Sequence, residues 1–258
     1  MRLMKRILSA AAVLALSASL LVGCSSGTAS SVPVSASSAA ESTVSSVGET
    51  ASSAVDENEA AAAQLLNDLT GSYQELWPVI LADEYKQTWL DVCTALVGEE
   101  NAEAAFEKLS SMVTSDVYGE DAVEAYANGG GAYFCGFTNS LATLTFDGET
   151  STISGTDKDG NVLFSHTYHY IGMEPVHGLY EFESDDADSG EFTYFFLAPD
   201  TSAETYHIEF RYGSDAEALS QYDAGEYAYW VASGISTDCD QTMIDNCIEL
   251  FCTENLAG

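Results

Sequence analysis

The chain is 258 residues long, 46% hydrophobic and 11% aromatic, and sets 41 acidic residues against 7 basic ones for a formal net charge of -34. A charge of that size and sign excludes nucleic acid and anionic lipid headgroups as partners of the folded part, because both repel it. Its plainest effect is solubility at a cell surface, and charge alone does not make a metal site.

The chain opens with Arg2, Lys5 and Arg6, then an apolar run from Ile7 to Val22, then Leu21-Val22-Gly23-Cys24. This is the pattern of a signal peptide over residues 1–23. Small residues before a cysteine at the end of the apolar run form a lipobox, with Cys24 diacylated as the first mature residue. Two acyl chains are what a stable membrane anchor needs. The expected location is therefore the extracytoplasmic face of the cell membrane. Residues 24–55 are Ser, Ala, Thr, Val and Gly with few charges, a composition read as a disordered linker. Residues 56–258 suit one domain with a real core. The signal holds three of the seven basic residues, so the mature chain has four against 41 acids.

From Asp56 to about Tyr126 the period is helical. Tyr85, Trp89, Val92, Cys93 and Leu96 form one stripe, and Ala102, Ala105, Phe106, Leu109 and Met112 form another. Gly98 and the Gly129-Gly130-Gly131 run read as stops, with a short helix from Asp121 to Ala127 between them. Beyond Gly131 the period changes. Residues 132–138, 141–146, 149–155, 162–171, 178–183, 191–197 and 204–212 are short aromatic and β-branched runs separated by turn residues, and predict strands. About seven such strands suggest an antiparallel meander closed as a β-barrel, giving a mainly β fold with flanking α-helices. A short helix is expected over Asp215 to Tyr222, and a C-terminal helix over Asp238 to Glu254 with Met243, Cys247, Leu250 and Phe251 as its stripe.

Motifs of catalysis are absent from the sequence: no nucleophile elbow, phosphate loop, dinucleotide fingerprint or His-Glu-x-x-His. No enzyme is expected. Asp157 to Asn161 and Asp185 to Gly190 miss the calcium-loop pattern at its glycine or ligand positions and read as hairpin turns. Beyond Cys24 lie Cys93, Cys135, Cys239, Cys247 and Cys252. Outside the cytoplasm a disulfide is permitted, and one of the last three could staple the C-terminal segment to Cys93 or Cys135.

The four histidines, His166, His169, His177 and His207, all fall in the β-rich half. His207 and Glu209, two apart on a strand, project from one side, as a strand offers two ligands to one ion. The competing reading makes Thr205, His207, Glu209 and Arg211 the solvated face of an edge strand. His166 and His169 take opposite faces and cannot serve one ion without a bulge. His177, after Pro175, sits in a loop and is a free candidate.

Leu66 to Ile80 resembles the opening of the ZinT family, W-x-G-x-W-Q-S-V-Y-P-L-L, with Gly71, Gln74 and Pro78 in register. The likeness continues through Tyr168-His169-Tyr170-Ile171-Gly172, Gly178 to Glu183, Phe192-Thr193-Tyr194, and His207-Ile208-Glu209-Phe210-Arg211-Tyr212-Gly213, which is similar to the family's H-F-H-I-x-x-G. It spans roughly residues 64–258. The resemblance implies an exported zinc-binding protein with a lipocalin-like (calycin-like) barrel, in a family that occurs alone or fused to the solute-binding lipoprotein of a zinc transporter. The family's zinc is held by the histidine of an F-S-D-H strand end and both histidines of H-x-H. Carried over, His207 is retained, Glu209 stands for the second histidine, and counting from Tyr194 sets Asp200 at the first ligand.

The expectation is thus a surface lipoprotein that binds zinc or another divalent ion through Asp200, His207 and Glu209, with His169 or His177 as a fourth ligand and a metal ABC transporter as a partner. The rival reading is a lipocalin-like protein with a small-molecule cavity and a degenerate metal site.

Overall fold

The computed structural model describes residues 47–198 and 207–256, with side chains from residue 57 onward. The signal, Cys24, most of the linker and Asp200 lie outside the described residues. Helix α1 spans Val47–Asp68, so its first turns fall within the stretch read as linker. The strong helix formers lie further on, in Glu57 to Leu66.

After α1 come β1 (Gly71–Glu75), α2 (Leu76–Ile80), α3 (Lys86–Val97), α4 (Glu99–Ser111) and α5 (Glu120–Ala127). Then follow β2 (Thr143–Asp147), β3 (Thr152–Thr156), β4 (Val162–Met173), β5 (Tyr180–Ser184), β6 (Tyr194–Leu197), β7 (His207–Gly213), α6 (Ala216–Leu219), β8 (Ala232–Ser236) and α7 (Gln241–Leu256). Every strand pairs antiparallel with its neighbours in chain order, and β1 pairs with β8 to close an eight-stranded barrel. Among the described residues no helix is long and apolar enough to cross a membrane.

The helical stripes behave as their period predicts. Trp89 and Cys93 of α3 and Ala102, Ala105 and Leu109 of α4 are buried, and Gly98 breaks the two helices at φ 87°. Two strands depart from the expectation. Gly71–Glu75 lies in the stretch read as helical, yet forms β1, because it has both β2 and β8 to pair with. Residues 132–138 were expected as a strand but make only isolated bridges, Phe134 to Thr114 and to Trp230. A strand outside the expected set, β8, pairs with β1 and β7, although its Ala-Ser-Gly-Ile-Ser sequence has little strand signal of its own.

Two cores result. Inside the barrel, Phe146, Phe182, Phe195, Phe210 and Tyr212 pack with Leu144 and Ile153. The segment after Phe134 packs in against them: Trp230 Nε1 donates to the Gly136 carbonyl at 2.9 Å, and the Phe137 N–H donates to Glu75 Oε1 at 2.6 Å. Outside β8, the helices α2, α3, α4 and α7 gather Trp77, Ile80, Trp89, Cys93, Leu109, Ile248 and Cys252 around Ile235.

The β2–β3 turn is pressed onto the end of α1. The Gly148 N–H donates to Thr70 Oγ1 at 3.0 Å, and a Cβ at Gly148 would lie 2.4 Å from the Asn67 Cα and 2.6 Å from its nitrogen. Because the obstacle is helix backbone, a Gly148→Ala substitution forces α1 off β2. It is expected to lower stability by about 1–3 kcal/mol, read as a fall in the urea midpoint with the helical signal retained.

Candidate functional site

In β7 the side chains of Ile208, Phe210 and Tyr212 enter the barrel, so His207, Glu209 and Arg211 share the outer face. Across the ladder His207 stands opposite Ile235 and Glu209 opposite Ser233, on the side the helices cover. This overturns the edge-strand reading. The barrel has no free edge here, Arg211 is 0% exposed, and His207 and Glu209 are half-buried. Burial drives the His207 pKa down to about 4, which leaves the imidazole neutral, the form that ligates metals.

Arg211 is the one arginine after Arg6. Its guanidinium donates to the carbonyls of Leu219, Gln221 and Tyr227, and lies 4.3 Å from the Tyr222 ring centroid. The cation thereby binds the 216–230 segment to the barrel wall. Tyr222 also packs against His177, the rings tilted by 47° with centroids 3.8 Å apart. Burial raises the Tyr222 pKa, with the Arg211 charge opposing and the Glu174 and Glu209 carboxylates adding to the rise. Glu209 acts likewise on the buried Cys135 thiol, whose pKa is raised first by desolvation and which stays protonated. The pair His207 and Glu209 therefore borders a polar cluster of Arg211, Tyr222, His177 and Glu174.

Glu174 is fully buried. It accepts the backbone N–H groups of Val176 at 2.9 Å and His177 at 2.6 Å, and its Oε2 lies 3.6 Å from His177 Nδ1. Burial alone would raise its pKa, but these hydrogen bonds, His177's first, bring it below the ordinary value. The β4–β5 turn that carries His177 is at the His207 end of the barrel, because the register runs Met173, Tyr180, Leu197, Phe210.

His169 is not brought to this end. It faces outward, exposed, with Nδ1 2.8 Å from Asp185 Oδ1. Its row across the sheet runs His169, Glu183, Tyr194, Gly213. It meets β7 six residues past His207, which is about 20 Å along the strand. As a fourth ligand beside His207 it is therefore ruled out by register. His166 faces the other way from His169, beside Phe164 and Tyr168, with Nδ1 2.8 Å from Asp186 Oδ2. The Asp157 loop is a turn, its Oδ1 accepting the Asp159 and Asn161 N–H groups at 2.9 Å each.

Among the described residues no three His, Cys, Asp or Glu side chains converge as a metal site. The structure brings His207 and Glu209 together and sets His177 at the same end, while Asp200 lies outside the described residues. Sequence reasoning missed Arg211, Tyr222 and Glu174. The available signal was compositional: a single arginine in an acidic domain, alternating with aromatic residues in a strand.

Six solved chains resemble this one, including two with bound Zn(II). The crystal structure of the Zn(II)-bound ZinT-like domain of Streptococcus pneumoniae AdcA is 16% identical with a TM-score of 0.45, the match covering 71% of this chain and 89% of that one. Zn(II)-bound AdcA from Streptococcus pneumoniae is 15% identical with a TM-score of 0.43, covering 71% of this chain and 35% of that one, so this chain spans about a third of the longer protein. No family model matches the sequence, and no curated protein matches it.

Because three carbonyls converge on Arg211, Arg211→Met leaves them buried without a donor. The loss is expected to be about 3 kcal/mol or more. Arg211→Lys restores little of it, since a point ammonium cannot span a fork of carbonyls. Urea unfolding of the two variants beside wild type measures both.

Proposed function

We propose that this chain is a lipoprotein, anchored through a diacylated Cys24 at the extracytoplasmic face of the cell membrane, that binds zinc or another divalent cation there. It buffers the ion or supplies it to a metal ABC transporter. The observation that carries this reading is the pair on β7: an imidazole beside a carboxylate, both half-buried on one face of a strand. Neutral imidazole and carboxylate are both ligands of zinc, and a strand presents them about 6.6 Å apart, a separation one ion can bridge.

In this reading Asp200, in the connection between β6 and β7, supplies the third donor, with His177 or water completing the shell. The resemblance of His207-Ile208-Glu209 to the ZinT family's H-x-H points to the same ion. One imidazole with two carboxylates is a harder donor set than three imidazoles, so selectivity for zinc over other divalent ions is reduced. The role is binding, not catalysis. The rival small-molecule reading needs a cavity, and Phe182, Phe195, Phe210 and Tyr212, which point into the barrel, are each no more than 1% exposed.

Calorimetric titration of the metal-stripped mature chain is expected to give saturable one-to-one zinc uptake. The His207→Ala, Glu209→Ala double variant loses that uptake, and Glu209→His, which restores a second imidazole, tightens it. Equal, weak uptake by wild type and the double variant would reduce the binding to a diffuse acidic surface.

A further inference from the structure

Helices α3 and α7 lie side by side in the layer outside the barrel, and each turns a cysteine into the seam between them. Cys93 on α3 and Cys252 on α7 are both 0% exposed, with their sulfur atoms 4.0 Å apart. They are 159 residues apart in sequence. Around the pair the packing is aromatic and aliphatic: Trp89, Leu109, Ile248, and Phe251, whose ring centroid is 6.0 Å from that of Trp89.

We propose that Cys93 and Cys252 are the sites of a native disulfide that staples the C-terminal helix to the helical layer. The sulfurs must close by about 2 Å to reach bonding distance. The sequence left several pairings open, and the fold selects this one by bringing two thiols face to face.

The oxidant is a disulfide, either glutathione disulfide or the active-site disulfide of an exported oxidoreductase. One cysteine thiolate attacks the oxidant, breaking its S–S bond and releasing one thiolate. The second cysteine thiolate then displaces the other half from the mixed disulfide. The new Sγ–Sγ bond leaves the protein oxidised by two electrons, and the oxidant departs as two thiols carrying the two protons. Burial raises both pKa values, so the first attack takes place while α7 is undocked, and docking then delivers the second thiol. The cross-link removes a loop-closing degree of freedom from the unfolded chain that spans most of the domain. This inference is independent of the metal reading.

The test is to unfold the full chain and refold it in a buffer of oxidised and reduced glutathione, then alkylate it under denaturing conditions and map its peptides. The expected result is a Cys93–Cys252 cross-linked peptide, with Cys135, Cys239 and Cys247 alkylated. Recovery of Cys93 and Cys252 as alkylated thiols, or joined to other cysteines, overturns the proposal. In a thermal melt, reductant is expected to lower the Tm of the oxidised protein by about 4–16 °C and to leave the Cys93→Ala, Cys252→Ala variant unmoved. An equal shift in both proteins also overturns it.

Discussion

The architecture hangs on the ladder between β1 and β8. Tyr73, Gln74 and Glu75 pair with Ser236, Ile235 and Gly234, and the Thr237 N–H reaches back to the Ser72 carbonyl at 2.8 Å. Closure removes both sheet edges at once. It also fixes which face of β8 looks out. Ala232 and Gly234 turn inward, and Ile235 turns outward to become the point on which the helical layer is built. Helices α2 to α4, inserted between β1 and β2, and α7, following β8, can share one core only because the ladder brings the two ends of the barrel sheet together.

The same outward face sets the electrostatics of β7. The chain carries few cations, and the lysines Lys86 and Lys158 are at the surface. The guanidinium of Arg211 is instead buried, where carbonyl dipoles of the 216–230 segment and the Tyr222 ring take the place of water. That choice covers the outer wall of the barrel with Leu219, Tyr222 and Tyr227. It also sets a buried positive charge two residues from Glu209, at the end of the barrel where His177 and Glu174 are held.

The proposed metal ligands and the proposed cross-link are thereby separated. His207 and Glu209 are held by the period of a strand, which gives them a common face whatever lies beyond. Cys93 and Cys252 are held by helix packing in the layer outside β8, where apolar surroundings keep both thiols protonated. Cys135 shares the electrostatic field of Glu209, but desolvation keeps it from acting as a thiolate.

Local pattern determined a great deal. The 3.6-residue stripes of α3 and α4, the stop at Gly98, the alternation in β4 and β7 and the turn at Asp157 follow from the sequence, because each depends on residues within a few positions of one another. The barrel and its flanking helices were legible for the same reason, as was the juxtaposition of His207 with Glu209. What required the tertiary structure depends on partners far away in the chain. Gly71–Glu75 is a strand because β2 and β8 pair with it, and Ala232–Ser236 because β1 and β7 do. Arg211 is buried because a segment ten or so residues onward folds over it. His169 is separated from His207 by register summed over three ladders, and Cys93 meets Cys252 across 159 residues. Periodicity encodes which face a side chain takes, but only closure of the barrel and docking of the helices decide what that face meets.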